Sequence, residues 1–448
     1  MFKKFHIGIM GAGNIAGVMA ETIKKMKGVK LYAVASRQQV SADVFAGKYG
    51  CKKAYGSYED LVKDKKVDLI YIATPHSEHF ENAKLCILHG KPVLCEKAFT
   101  ANAAQAEELV KLARERNVFL AEAIWTRYMP MVATMQQVIG SGVIGEIKTL
   151  TANLGYVVGH LPRMQEPKLC GGALLDLGIY PLTFAFMMLG THYDRVESSC
   201  SYAATGVDEQ NSITLYYPDG KVAHLNSTMV SVSDRKGMIY GTKGFAVVEN
   251  INNFQSITVF DNSYKKLAEY KCPKQISGYE YEVEACMKAI SKGELECVEM
   301  PHYESIRVMK FMDELRKEWG VVYPYDADAQ FTIPKREETV PAGGSVATEE
   351  VVTEEVVTEE VVAVAEMTED TVSAAKEAIG EVVSVAEEAA EEVVSVAEEA
   401  AEEVVSVAEE AAGEVISAVE MPAEEVAPVT EESVEEMVAL PETSGEQE

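Results

Sequence analysis

The chain has 448 residues, enough for two or three domains, and a formal net charge of −30. Of its 71 acidic and 41 basic residues, 34 acidic and 2 basic ones lie in residues 336–448, which leaves 37 acidic and 39 basic ones before them. Residues 1–335 are therefore close to neutral and carry no basic stripe, which argues against nucleic-acid binding. No run of about 18 apolar residues stands out, so we expect no membrane span.

The first predicted element is a buried strand that ends in a glycine turn. The apolar residues Ile7, Ile9 and Met10 precede Gly11-x-Gly13-x-x-Ala16, the dinucleotide fingerprint with Ala in its third place. Gly11 permits the tight turn, Gly13 lets the backbone approach a pyrophosphate, and Ala16 lets the helix lie close to the strand. The N–H groups at the helix start would bind phosphate, although a glycine turn without a ligand is the alternative. The predicted cofactor-binding residues here are Gly11, Gly13, Asn14, Ile15 and Ala16.

A second strand, predicted at 30–35, ends at Ser36 and Arg37. An NAD-dependent enzyme usually has Asp or Glu here to hold the ribose 2′-hydroxyl, whereas Arg can pair with the 2′-phosphate of NADP. The pair Ser36-Arg37 therefore favours NADP, with NAD as the alternative cofactor. An Arg on the surface of the loop is the interpretation without a ligand.

Strands and helices alternate up to residue 123, with short loops between them. After the second strand, the pattern predicts helices at 42–49, from Ser57, at 79–89 and at 103–116, and strands at 54–55, 67–73, 92–95 and 118–123. This alternation predicts a doubly wound parallel sheet. The segment Thr74–His79 and the pair Glu96-Lys97 each follow a strand, at the edge where ligands bind in such sheets.

Three stretches together resemble one protein family. The fingerprint at 11–16, the segment Ala73-Thr74-Pro75-His76-Ser77-Glu78-His79 and the pair Glu96-Lys97 are similar to the glucose–fructose oxidoreductase / inositol dehydrogenase / rhizopine-catabolism (Gfo/Idh/MocA) family. The resemblance covers about residues 3–330 and implies an NAD(P)-binding Rossmann domain at 1–123. Ala98 departs from the family pattern, which usually has Pro there. The further cofactor-binding residues that the resemblance implies are Thr74, Pro75, His79, Glu96 and Lys97.

Residues 122–130 resemble the branch of this family that contains the dimeric dihydrodiol dehydrogenases, which also oxidise D-xylose. That resemblance implies that Trp125, Arg127 and Tyr128 lie beside the nicotinamide and the substrate. Packing between domains is the alternative for the two aromatic residues. A structural cap is the alternative for Arg127.

The residues after Gly145 are rich in β-formers and predict a second, α+β domain at 124–333. Its strands are expected at 147–156, 196–204, 211–217, 221–230, 238–240, 245–249, 256–260 and 266–270, followed by helices at 279–292 and 303–318. The family resemblance implies an open-faced, mostly antiparallel sheet. Because an exposed sheet face invites pairing with another subunit, we expect a homo-oligomer, either a dimer or a tetramer.

Asp176 and Tyr180 lie four residues apart in this half, a spacing that puts both on one face of a helix. A carboxylate in an apolar turn needs a partner. The resemblance implies an active site built from Lys97, Asp176 and the residue four positions later, usually His but here Tyr180, as in the dihydrodiol branch. A buried capping Asp and a core Tyr are the alternative.

These residues would suit the oxidation of a carbinol. NADP would accept the hydride, Lys97 and Tyr180 would take the proton as a coupled pair, and Asp176 would orient Lys97 or a substrate hydroxyl. We expect an NADP-dependent oxidoreductase acting on a cyclic polyol, an aldose such as D-xylose, or a trans-dihydrodiol. The rivals are a non-catalytic nucleotide-binding regulator or scaffold of the same fold, and a reductase resembling biliverdin reductase. The retained Lys97 favours catalysis.

The eight cysteines are scattered and form no CxxC pair. Buried free thiols in a reducing compartment are the simplest interpretation, and no signal peptide precedes the first strand. We therefore expect a cytoplasmic protein. The eight histidines are also dispersed, and the sequence predicts no metal site.

Residues 336–448 form an acidic low-complexity tail. Thr-Glu-Glu-Val-Val recurs with a period of five from Thr348, and an eleven-residue unit recurs from Glu381, Glu392 and Glu403. An eleven-residue period keeps Val and Ala on one helical face, but close-set Glu residues make a lone helix marginal. We expect a solvated, largely disordered appendage, with a right-handed coiled coil or a partner-docking helix as alternatives. Its negative charge argues against membrane attachment.

Overall fold

The first of two sheets is fully parallel. In the computed structural model, which describes residues 4–327, its strands are β1 (Phe5–Met10), β2 (Val29–Ala35), β3 (Lys53–Tyr55), β4 (Leu69–Ile72), β5 (Val93–Glu96) and β6 (Leu120–Ala123). They lie in the order β3-β2-β1-β4-β5-β6. The order reverses between β1 and β4, and ligands of open α/β sheets bind at the carboxyl ends of strands near such a reversal.

The connecting helices are α1 (Asn14–Lys25), α2 (Gln39–Tyr49), α3 (Tyr58–Lys63), α4 (His79–Leu88) and α5 (Ala103–Arg116). Every residue of β4, β5 and β6 is buried, as expected for strands covered on both faces. The predicted α/β Rossmann-like fold is confirmed. The tail at 336–448 lies outside the described residues.

The second sheet is mixed and mostly antiparallel, as predicted. Its strands are β7 (Ile147–Gly155), β8 (Arg195–Tyr202), β9 (Asp208–Tyr216), β10 (Val222–Thr228), β11 (Gly237–Gly241), β12 (Gly244–Glu249), β13 (Ser256–Asp261) and β14 (Lys266–Lys271). They lie in the order β14-β13-β12-β11-β7-β10-β9-β8, and β7 pairs with β10 in parallel. The helices of this half are α6 (Met131–Gly140), α7 (Pro162–Gln165), α8 (Ile179–Leu189), α9 (Glu280–Ser291) and α10 (His302–Trp319).

The segment that carries Asp176 is not the regular helix that the sequence predicts. Residues Leu174–Gly178 form a π turn that leads directly into α8, and all five residues of the turn are buried. Within residues 4–327, the stretch Pro167–Leu189 has the length and apolar composition of a membrane span, contrary to our expectation that no such run exists. Since 89% of its most apolar 18-residue window is buried inside the fold, it has the pattern of a core segment.

Candidate active site

Lys97, Asp176 and Tyr180 come together at the carboxyl end of β5. The Lys97 ammonium donates hydrogen bonds to Asp176 Oδ1 over 2.8 Å and to the Asp176 carbonyl oxygen over 2.7 Å. Its Nζ also lies 5.2 Å from the centre of the Tyr180 ring. The three residues proposed as catalytic from the sequence therefore form one contact group, although Asp176 lies 79 positions from Lys97 in the chain.

An arginine and a histidine also lie beside Asp176. Arg163 Nη1 lies 3.0 Å from Oδ2, and His76 Nε2 lies 3.8 Å from Oδ1. Burial alone would raise the pKa of the Asp176 carboxyl, but the positive charges of Lys97 and Arg163 bring it well below its usual range. Asp176 is therefore a buried carboxylate that holds Lys97 in place. The sequence analysis did not identify Arg163, which lies in the short helix α7 and belongs to no motif.

Tyr180 is fixed by aromatic neighbours. Its hydroxyl accepts a hydrogen bond from Trp125 Nε1 over 3.1 Å. The indole of Trp125 stacks on Tyr279, with ring centres 4.0 Å apart and an interplanar angle of 6°. Burial, together with the negative charges of nearby groups, raises the pKa of Tyr180 well above 10. The phenol is therefore protonated, and Trp125 contacts it directly. Sequence reasoning did not identify Tyr279.

Glu96 lies behind Lys97. Its Oε1 accepts a hydrogen bond from the Tyr71 hydroxyl, and its Oε2 accepts one from the Lys97 backbone N–H over 3.1 Å. Burial raises the pKa of the Glu96 carboxyl to about 7. The peptide bond between Lys97 and Ala98 is cis. Glu96 therefore positions the backbone of Lys97.

Two predicted cofactor residues are engaged by the protein itself. The fully buried His79 places Nδ1 2.8 Å from the Ala98 carbonyl oxygen and Nε2 2.9 Å from that of Thr74, so it joins two loops. Arg127 donates from Nε to the Glu299 carbonyl oxygen over 2.8 Å and pairs with Glu304. This geometry corresponds to the structural alternative for Arg127.

The fingerprint turn fits a dinucleotide. Gly11 has φ +105°, and a Cβ there would lie 2.6 Å from the Ala73 carbonyl oxygen. At Gly13 a Cβ would meet no atom within 4 Å, so the backbone faces open space. The helix α1 that follows has no side-chain hydrogen bond at its N-cap and no acidic residue in its first turn. Its free N–H groups could therefore bind a pyrophosphate.

The other predicted cofactor residues surround this turn. Ser36 and Arg37 follow β2, and the Arg37 side chain is exposed. Thr74 and Pro75 follow β4, and Thr74 accepts a hydrogen bond from Asn82 over 3.0 Å. A cavity of about 710 Å³ begins at Gly13 and continues between α1 and α2, and it does not include the Lys97 group. Within residues 4–327, no cluster of three or more potential metal ligands is present.

Fold and site define an oxidoreductase with an NAD-binding domain. The family described as "Oxidoreductase family, NAD-binding Rossmann fold" matches residues 5–123, and the family described as "GFO/IDH/MocA C-terminal domain" matches residues 132–247. The chain belongs to the Gfo/Idh/MocA family. The trans-1,2-dihydrobenzene-1,2-diol dehydrogenase of Mus musculus is 34% identical over 330 residues, which cover 71% of this chain and 98% of that protein. The Homo sapiens protein of the same name is 32% identical over 327 residues, with the same coverage.

Two solved structures share the fold. A 3-ketoreductase from Actinomadura kijaniata in complex with NADP and TDP-benzene superposes with a TM-score of 0.65 at 24% identity, over 70% of this chain and 97% of that one. An aldose-aldose oxidoreductase from Caulobacter crescentus complexed with glycerol superposes with a TM-score of 0.64 at 18% identity, over the same shares of the two chains. At these identities the likeness concerns the fold alone.

Proposed function

We propose that the protein is an NADP-dependent oxidoreductase that transfers hydride between nicotinamide and a carbinol of a cyclic polyol, an aldose such as D-xylose, or a trans-dihydrodiol. The observation that carries this proposal is the position of the Lys97 ammonium, which bonds to the Asp176 carboxylate and lies against the Tyr180 ring. The group lies at the sheet edge where a bound dinucleotide would end. The names of the mouse and human relatives support a diol as the substrate.

Each residue of the site has a role in the proposed reaction. A bound nicotinamide supplies the hydride chemistry. Tyr180 and Lys97 form the proton-transfer pair, because the ammonium lies over the phenol ring. Asp176 holds Lys97 in place because its carboxylate and its carbonyl oxygen each accept a hydrogen bond from the ammonium. Trp125 orients the Tyr180 hydroxyl from the other side.

The preference for NADP rests on the end of β2. Residues 36–39 are Ser, Arg, Gln and Gln, so no carboxylate is present there to receive a ribose 2′-hydroxyl. The Arg37 guanidinium is exposed and free to reach a 2′-phosphate from the loop. The bound NADP in the A. kijaniata structure is consistent with this proposal.

The proposal extends to location and assembly. All eight cysteines lie in the described part of the chain as free thiols, which supports a reducing, cytoplasmic compartment. Aromatic side chains on the outer face of the second sheet support a homo-oligomer formed through that face. The domain boundaries at 1–123, 124–333 and 336–448 stay predictions.

The test is a substrate screen that follows the absorbance of reduced nicotinamide, with NADP and NAD in parallel. The panel contains D-xylose, D-glucose, myo-inositol and the trans-dihydrodiol of benzene. We expect turnover with NADP that is lost in Lys97→Met and retained in Lys111→Met, an exposed lysine on α5. Cofactor binding without turnover of any substrate would instead favour a regulatory protein.

A further inference from the structure

His76 forms one wall of the proposed site. It follows β4 and the Thr74-Pro75 turn, at the start of a short 3₁₀ helix. Its Nε2 lies 3.8 Å from Asp176 Oδ1, the oxygen that also receives the Lys97 ammonium. The His76 side chain is 12% exposed, so the ring is largely enclosed and a small part of it stays accessible.

The other ring nitrogen fixes the tautomer. His76 Nδ1 lies 3.2 Å from the carbonyl oxygen of Cys170. A carbonyl oxygen can only accept a hydrogen bond, so Nδ1 must carry the hydrogen. Burial lowers the pKa of His76 to about 3, which keeps the ring neutral. Nε2 therefore bears a lone pair and is a hydrogen-bond acceptor directed towards Asp176.

Two acceptors thus face each other without a donor between them. Within residues 4–327, no donor lies within hydrogen-bond distance of His76 Nε2. The neighbouring His79 ring stands edge-on, and both of its nitrogens face backbone carbonyl oxygens. Lys97 and Arg163 direct their N–H groups at Asp176 instead. A group that binds Nε2 must therefore supply the hydrogen, as a hydroxyl does, whereas Asp176 Oδ1 already receives one from Lys97.

We propose that His76 is a specificity residue, an inference that rests on the proposed function. Its Nε2 accepts a hydrogen bond from the substrate hydroxyl next to the one that reacts. The reacting hydroxyl lies at Tyr180, and the second one lies beside His76 and donates its one hydrogen to Nε2. Two of the three Lys97 N–H groups bind Asp176, and the third is left for the oxygen of that second hydroxyl. The site therefore selects vicinal diols over lone alcohols.

The experiment uses the full chain with NADP and compares trans-1,2-cyclohexanediol with cyclohexanol. We expect His76→Phe, which keeps an aromatic ring but removes the acceptor, to lower kcat/KM for the diol by about 10- to 100-fold. For cyclohexanol the loss is expected to stay below about 3-fold, since this substrate has no second hydroxyl. His76→Gln, which can place an amide oxygen near the Nε2 position, is expected to restore most of the preference for the diol.

His89→Phe is the matched control, because His89 also places Nδ1 against a backbone carbonyl oxygen but lies on the surface at the end of α4. Equal losses on both substrates in His76→Phe would overturn the proposal and leave the function intact. A wild type that oxidises cyclohexanol as efficiently as the diol would also overturn the proposal, and this comparison does not depend on the folding of any variant. A wild type inactive on diols and sugars with both cofactors would refute the proposed function and this inference with it.

Discussion

The Tyr180 hydroxyl carries its proton in the folded site, because burial raises its pKa well above 10 and the nearby carboxyl groups of Glu96 and Asp176 add to this effect. A phenol in that state can donate a proton to a carbonyl oxygen. It must first lose the proton before it can accept one from a carbinol. The Lys97 ammonium, 5.2 Å from the ring centre, favours the phenolate. The two reaction directions should therefore respond differently to pH.

We predict that kcat/KM for oxidation rises steadily from about pH 6 to about pH 10, while the reduction rate stays level until the upper end of that range. The reason is that oxidation needs the minor, ionised form of Tyr180, and reduction needs the major, protonated form. Tyr180→Phe should lower kcat in both directions by about 100- to 10,000-fold. Initial rates with NADP and NADPH across the pH series measure this.

Tyr279→Phe is the control for this prediction, because it keeps the ring stacked on Trp125 and removes a hydroxyl that is not assigned to proton transfer. It should leave both pH profiles unchanged in shape. A Tyr180→Phe enzyme whose oxidation still rises with pH would identify Lys97 as the proton acceptor.

At the scale of elements, Asp208 holds the π turn that carries Asp176. Its Oδ2 accepts hydrogen bonds from the Leu174 N–H over 2.7 Å and from Asn211 Nδ2 over 2.9 Å. Gly172, with φ +116°, leaves room for it, since a Cβ there would lie 2.3 Å from Asp208 Oδ1. Asp208 on β9 therefore connects the second sheet to the proposed active site.

We predict that Asp208→Ala destabilises the protein by about 2–4 kcal/mol, because it leaves a buried N–H and a buried amide without an acceptor. It should also lower kcat beyond what the loss of folded protein explains, since Asp176 is no longer held in place. Urea unfolding and rates per folded molecule measure the two effects. The control is Asp219→Ala, in an exposed turn where Asp219 pairs with Lys221. Unchanged kcat in folded Asp208→Ala would contradict the link.

Much of the element order could be predicted because the signals are local. Buried parallel strands are continuous apolar runs, and turn residues mark their ends. The N-cap at Ser57 is an example, since its Oγ accepts the Asp60 N–H as the sequence pattern predicts. Helix α5 at Ala103–Arg116 has the bounds expected from the sequence.

The rest depended on contacts between distant parts of the chain. The π turn at Leu174–Gly178 was not predicted, because its extra residue per turn is stabilised by Asp208, which lies far along the chain. His76 reaches Asp176 from the other half of the chain, and Arg163 reaches it from a helix that no sequence motif marks. The spacing of Asp176 and Tyr180 predicted that they act together, but not which groups would surround them.

At the scale of the whole molecule, the protein keeps several carboxyl groups buried. Burial raises the pKa of Glu96 and of Glu122 to about 7, and that of Asp208 to about 7. Glu282 on α9 is completely buried, both of its oxygens lack a hydrogen-bond partner, and burial raises its pKa well above 4.5. These groups stay protonated in the folded state at pH values where the unfolded chain has lost those protons.

The sign of the effect on stability follows from this difference. A raised carboxyl pKa stabilises the folded state fully below about pH 4.5, and that stabilisation is lost as pH rises through the folded pKa. For one proton the slope is about −1.4 kcal/mol per pH unit. The buried His76 and His79 have lowered pKa values and act in the opposite sense below about pH 6.5. His76 and His79 contribute equally to the unfolding free energies of the wild type and a variant at another site, so their contribution cancels when the two free energies are subtracted.

We predict that Glu282→Gln becomes progressively more stable relative to the wild type between about pH 5 and about pH 8. The difference grows by about 1.4 kcal/mol per pH unit over the pH range in which Glu282 is protonated in the folded state and ionised in the unfolded state. The amide cannot ionise, so it avoids the cost of placing a charge in the core. Urea unfolding at each pH gives the difference in unfolding free energy. Glu284→Gln, exposed on the same helix, should give a flat difference, and a flat difference for Glu282→Gln would contradict the argument.

The second sheet carries an exposed aromatic surface that bears on assembly. An aromatic patch, formed by Tyr240, Phe245, Phe260 and Tyr264, lies on the outer face of the second sheet. Phe245 pairs with Tyr240 and with Phe260 on neighbouring strands, and the Phe245 and Phe260 rings stack with centres 5.0 Å apart. Ala246 and Val248 alternate with Phe245 and face the core instead. Tyr264 at the edge of the patch is 78% exposed, and contiguous apolar surface of this kind commonly marks an interface.

We predict that the protein is a dimer or tetramer through the aromatic patch and that Phe260→Lys shifts it to smaller species. In a two-fold interface each copy would bring its lysine to the same buried surface, so the charge penalty would be paid twice. Light scattering coupled to size-exclusion chromatography measures the mass over a dilution series. The control Tyr303→Lys changes an exposed aromatic residue on α10 and should keep the wild-type mass. A wild type that is monomeric at every concentration would show that the protein does not form this oligomer. A Phe260→Lys protein of unchanged mass would show that the interface lies on another surface.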